Sequence, residues 1–185
     1  MDNLSFDTSC KMMVYKTTPE DIKRMYDEYE ENFSKSNLLN SKTVYGRKES
    51  RLAGVLGEIV FKNMYPDATK PDDITYDFDY KSFKIDVKCK FRTVVPSLEY
   101  EASFFLYQST KDFNADLYYF MSTKEPYSHV WICGFIHKAD ILSNPHMQIW
   151  RAGDVDRSNG MTFRKDTVCL KYKYLKPISK SNPSP

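Results

Sequence analysis

A chain of 185 residues with 41% hydrophobic and 15% aromatic residues, among them 14 Tyr and 12 Phe, can bury one sizeable core but is cramped for two, and its composition excludes disorder. A formal net charge of only +2 excludes a uniformly basic nucleic-acid coat, so any contact with a polyanion must come from a local patch. No run approaches the roughly 18 apolar residues of a membrane span. Cys10, Cys89, Cys133 and Cys169 are too dispersed for a zinc site or a disulfide framework, which predicts reduced thiols in a cytosol-like compartment.

In chain order, MDNLSFDTSCKMM lacks the basic start, apolar run and cleavage site of a secretion signal and reads as a loose end. Residues 18–34, TPEDIKRMYDEYEENFS, combine a Thr cap, Pro at the first helical position, early acidic residues and apolar Ile22, Met25, Tyr26 and Tyr29 at helical spacing, predicting a helix. NLLNSKTVYG reads as a linker. RKESRLAGVLGEIVFKNMY then predicts a second helix with a stripe of Leu52, Val55, Leu56, Ile59 and Val60, ending before Pro66, and DATKPDD reads as a loop.

From Ile74 the apolar period falls to two. In FKIDVKCKFR, Phe83, Ile85, Val87, Cys89 and Phe91 face one way while Lys84, Asp86, Lys88, Lys90 and Arg92 face the other. TYDFDYK alternates likewise and is its natural hairpin partner, turning at Lys81-Ser82. ADLYYFM and HVWICGFI are near-continuous apolar runs, as expected of strands covered on both faces. KADIL opens a turn or short helix, TVCLKYKYL alternates and reads as an edge strand, and KPISKSNPSP is a fraying tail. The expectation is an α/β or α+β fold, a central mixed β-sheet flanked by helices, in one domain over about residues 1–178: a helical part over about 18–65, a sheet over about 74–175, and a tail over 179–185.

A hairpin turning at Lys81-Ser82 sets Asp77 opposite Asp86, with Cβ atoms about 5 Å apart. Two ionised carboxylates that close repel unless a cation lies between them, and hard oxygen ligands favour Mg²⁺, with Mn²⁺ as substitute, over zinc. Lys88, two residues beyond Asp86 on the same face, reaches the same volume, and Lys90 and Arg92 extend that face as candidate phosphate contacts. A phosphodiester placed there would meet a polarising ion and a lysine able to hold water. An acidic residue, any residue, then Lys occurs about once by chance in a chain of this length, and Asp21-Ile22-Lys23 is such a copy, so the strand context and the facing Asp77 carry the weight. Glu58, on the second helix beside Gly54 and Gly57, could enter the same sphere, because small residues let a helix approach another backbone closely. Arg47, Lys48 and Arg51 form a basic cluster at the start of that helix. His129, His137 and His146 show no ligand spacing.

GVLGEIVF, YDFDYKSFKIDVKCK and ADLYYFM followed by WICGFI resemble the PD-(D/E)xK nuclease superfamily over roughly residues 45–140. The resemblance implies a restriction-endonuclease-like core and assigns Glu58, Asp77 and Asp86, with the Val87 backbone carbonyl, to a Mg²⁺ ion, and Lys88 to the attacking water. Asp79 and the Asp72 of a literal Pro71-Asp72 are reserve first-strand ligands, Asp79 being disfavoured because it would face Lys84. Gln108 is a candidate auxiliary residue. The implied activity is a metal-dependent DNA endonuclease of a bacterial or virus-infected cytoplasm, with RNA cleavage or non-catalytic nucleic-acid binding as the alternatives on the same scaffold. No membrane partner is expected. A homodimer is a candidate assembly, since small nucleases often pair to cut both strands.

Overall fold

The computed structural model describes residues 3–34, 48–72, 75–105, 115–141, 143–157 and 160–178. A six-stranded mixed sheet in the order β1-β2-β7-β6-β4-β3 forms its middle layer. Its strands are β1 (Leu4–Asp7), β2 (Met12–Lys16), β3 (Phe78–Tyr80), β4 (Phe83–Phe91), β6 (Leu117–Thr123) and β7 (His129–His137). All its neighbours are antiparallel except β4 and β6. A parallel pair needs a crossover, and here the chain leaves β4 and passes through β5 (Glu101–Phe105) of a second sheet before returning as β6.

Helices cover one face. α1 (Pro19–Tyr29) runs into a π-helical turn at Glu30–Ser34, and α2 (Lys48–Met64) follows. The Thr18 hydroxyl accepts the Asp21 amide at 3.1 Å, the Thr cap that the sequence predicts, and the Asp21 carboxylate accepts the Thr18 amide at 2.8 Å, which makes the cap reciprocal. Met25, Tyr29, Leu52, Leu56, Ile59, Val60 and Phe61 pack on Met13, Phe78, Ile85, Val87, Leu117, Tyr119 and Ile132 of the sheet.

A second sheet, not a helical layer, covers the opposite face, which corrects the expectation of a sheet flanked by helices. It consists of β5, β11 (Thr167–Lys171) and β8 (Gln148–Trp150), in the order β5-β11-β8. Ala102, Phe104, Val168 and Leu170 pack against Val14, Tyr118, Phe120, Trp131 and Ile136. β11 is therefore a central strand and not the edge strand its alternation suggested. The N-terminus is likewise no loose end: β2 pairs with both β1 and β7, and Met12 to Tyr15 are buried on alternate faces. A short helix, α3 (Lys138–Ile141), follows β7 as expected, and β9 (Val155–Asp156) pairs with β10 (Met161–Thr162).

The β3–β4 hairpin has the register predicted from its turn, Phe78 opposite Ile85, Asp79 opposite Lys84 and Tyr80 opposite Phe83. Lys81 and Ser82 take φ of 47° and 68°, the left-handed values a tight two-residue hairpin turn requires, although neither is Gly or Asn. Gly134, at φ 126°, occupies an irregularity in the β6–β7 ladder where a Cβ would lie 2.7 Å from the Lys176 carbonyl; Phe135 and Lys176 exchange backbone hydrogen bonds at that point. No helix among the described residues is long and apolar enough to cross a membrane.

Candidate active site

Helix α2 crosses β4 closely because Gly57 has no side chain. A Cβ there would lie 2.5 Å from the Cys89 Cβ and 3.5 Å from Val87 Cγ1, so helix backbone and strand touch at this position. Gly54 meets nothing within 4 Å and has no part in the approach. Glu58 follows Gly57 directly and so stands half-buried where the helix meets the strand carrying Asp86.

Asp77 precedes β3. Its amide donates to the Ile85 carbonyl at 2.9 Å, and its carboxylate accepts the Val87 amide at 2.7 Å. The side chain thus occupies the place a ladder partner would take where β3 ends. A strand residue points its N–H and C=O the same way, so the Val87 carbonyl faces the same open edge.

Asp86 is buried, and its Oδ1 accepts from Lys88 Nζ at 2.6 Å. Burial, opposed by the Lys88 charge and reinforced by the charge and hydrogen bonding of Asp77, pushes its carboxyl up to about 7. Glu58 is also held above the usual carboxylate range, by burial and then by Asp77, with Lys70 opposing. Asp77 thus acts electrostatically on both other carboxylates, from the edge between helix and strand. Tyr118, opposite Asp86 in the β4–β6 register, is buried beside it, and its hydroxyl is pushed up by burial and by the Asp86 charge.

Asp77, Asp86 and Lys88 are brought together at the hairpin, Glu58 lies within electrostatic reach of Asp77, and a residue that sequence reading passed over joins Glu58. Lys70, in the loop after α2, forms an ion pair with Glu58 and lies 4.4 Å from the Phe78 ring centroid. Nothing local marks a lysine in DATKPDD; only the folded loop brings it to the carboxylates.

Other expected residues lie elsewhere. Asp79 pairs with Lys84 and accepts from the Tyr76 hydroxyl at 3.2 Å. Asp72 is exposed in the loop. Lys90 donates to the Glu101 carbonyl at 3.1 Å; one Arg92 nitrogen reaches that same carbonyl at 3.1 Å and the Tyr172 hydroxyl at 2.9 Å. Both side chains, read from the sequence as candidate phosphate contacts, thus join β4 to the second sheet. Burial pulls the Lys90 amine down to about 8, with Arg92 adding to the effect. Lys48 lies over the Tyr26 and Tyr29 rings, at 6.0 and 5.6 Å from their centroids. Arg51, half-buried, stands two helical turns before Glu58 on the same side of α2. Arg47 and Gln108 lie outside the described residues.

Among the described residues no three His, Cys, Asp or Glu side chains are arranged to hold a metal ion. Mg²⁺ is commonly bound through one or two carboxylates, with waters and substrate phosphates completing its sphere. The oxygen-only pair Asp77 and Asp86, whose like charges already disfavour each other, fits that demand. No family model matches the chain, and no curated protein matches it.

Proposed function

We propose that this chain is a Mg²⁺-dependent nuclease that hydrolyses DNA phosphodiester bonds, with the restriction-endonuclease-like core its sequence resembles. One observation carries the reading: the Asp77 carboxylate, held by the Val87 amide, and the buried Asp86 carboxyl, bonded to Lys88, act on each other at the open end of the β3–β4 hairpin. Like charges in a buried place are retained when a cation or a proton stands between them. Asp77 and Asp86 would hold the ion, with Glu58 entering its sphere from the helix side, next to Asp77. When bound, the ion would polarise the phosphate and neutralise charge as the bond breaks.

The chain's own groups do the rest. Lys88, oriented by Asp86, presents N–H donors that can fix the attacking water or a phosphate oxygen. Burial raises the Asp86 carboxyl, and it must lose its proton before it can serve as a ligand, so activity should rise with pH as that proton is lost. Arg51, on the Glu58 side of α2, is the residue we assign to a neighbouring phosphate.

A second reading, a non-catalytic nucleic-acid-binding member of the same fold, is favoured by the two ion pairs in which Lys70 and Lys88 neutralise Glu58 and Asp86. One experiment separates the two. Wild type, Asp86→Ala and Lys88→Ala are incubated with linear, circular and single-stranded DNA and with RNA, in Mg²⁺, Mn²⁺ or EDTA. Cleavage by wild type that EDTA and both substitutions abolish is the expected result. Binding without cleavage establishes the second reading, cleavage of RNA alone moves the substrate class, and equal cutting by the variants removes the site.

A further inference from the structure

Two lysines neutralise the carboxylates, and they differ in how they are tethered. Lys88 is two residues from Asp86 on the same strand face, only 30% of its side chain is exposed, and strand geometry keeps it beside its partner. Lys70 comes from a loop, 59% of its side chain is exposed, and water is at hand to receive its ammonium when it leaves Glu58. Its nitrogen rests between the Glu58 carboxylate and the face of Phe78, the residue after Asp77. It is therefore a cation already seated at the edge of the carboxylate group.

We infer that Lys70 is a built-in counter-cation that an incoming divalent ion displaces from Glu58, so that its release controls metal loading. The inference rests on the nuclease reading. Charge balance supports it. With Glu58, Asp77 and Asp86 ionised, the two ammonium groups leave one negative charge. A dication added while both lysines stay makes the cluster positive by one; a dication that replaces Lys70 makes it neutral. An uncompensated charge in a partly buried place is unfavourable, so exchange is preferred to addition.

Calorimetric titration of Mn²⁺ and of Mg²⁺ into the full chain at pH 8, without nucleic acid, tests this on wild type, Lys70→Gln and Lys70→Arg. Removing a competing positive charge a few ångströms from the ion should tighten binding by Lys70→Gln on the order of tenfold, while Lys70→Arg, which keeps the charge, stays near wild type. Binding by Lys70→Gln where wild type shows none supports the inference equally. Weaker binding by Lys70→Gln would mean that Lys70 merely positions Glu58 and would overturn the inference, as would unchanged binding; either leaves the nuclease reading standing if wild type takes up metal. Absence of binding in all three proteins overturns both.

Discussion

Two of the chain's three Asp-x-Lys triplets hold residues that do opposite things. In Asp21-Ile22-Lys23, on α1, side chains two apart point about 200° away from each other around the helix. Asp21 turns inward, caps the helix, and accepts from Asn63 at 2.7 Å and Tyr15 at 3.3 Å; Lys23 turns outward to Asp27 at 2.6 Å. In Asp86-Val87-Lys88, on β4, the period of two puts the outer residues on one face, and they bond each other at 2.6 Å. The triplet gains chemistry only from an extended backbone, and Asp77 across the hairpin supplies the second carboxylate that the helical copy lacks.

Substitution should separate the triplets, and this is the largest effect expected. Asp86→Ala should lower kcat/KM at least about 100-fold, because positioning and charge neutralisation at phosphorus are worth several kcal/mol. It should leave resistance to urea nearly intact, since the unfavourable burial of the Asp86 carboxylate offsets the loss of its bond to Lys88. Asp21→Ala should do the reverse. Losing the cap and leaving the Asn63 amide without its carboxylate partner should cost about 2–3 kcal/mol in urea unfolding, with cleavage by the folded fraction unchanged. A loss of cleavage from Asp21→Ala matching that from Asp86→Ala would break the contrast.

What could be read from the sequence was whatever local period and turn chemistry determine. The capping residues located α1, and the Lys81-Ser82 turn set the hairpin register that brings Asp77 to Asp86, while the apolar runs of β6 and β7 announced burial on both faces. Missed were the features that depend on distant partners. β5, β8 and β1 are short and acquire their identity from ladders with β11 and β2, so β11 resembled an edge and the N-terminus a loose end. The second sheet then changed the meaning of the β4 face, for alternation tells which way a side chain points and not what lies above it. Lys70 was missed for the same reason.

The two glycines of α2 repeat the lesson, with a smaller effect. Gly57→Ala would drive a methyl to 2.5 Å from the Cys89 Cβ, a strand atom with little freedom to move, so helix and strand must part. The expected loss is about 1–3 kcal/mol, accompanied by weaker Mn²⁺ binding as Glu58 is carried away from Asp77. Gly54→Ala has open space and should gain about 0.5–1 kcal/mol from helix propensity, with metal binding unchanged. Thermal melts and calorimetric titration of both variants read the difference; equal effects at the two positions would deny that Gly57 sets the place of Glu58.

Lys88 and Lys90 are the closest pair of all, neighbours on one face of β4, and the smallest effect distinguishes them. The second sheet covers Lys90 and not Lys88, and burial pulls the Lys90 amine from 10.5 down to about 8. Between those values the unfolded chain holds a proton that the folded chain has released, so stability rises with pH across that window. Below about 8 the amine is charged in both states and its burial is fully unfavourable. Lys90→Met should therefore be more stable than wild type by about 1–2 kcal/mol at pH 7, with Arg92 still satisfying the Glu101 carbonyl. That advantage should shrink as pH climbs from 8 towards 10.5. Urea midpoints across this range for wild type, Lys90→Met and Lys88→Met measure it. A gap that stays constant with pH, or the same curve from Lys88→Met, would mean that the second sheet does not divide the face of β4 in two.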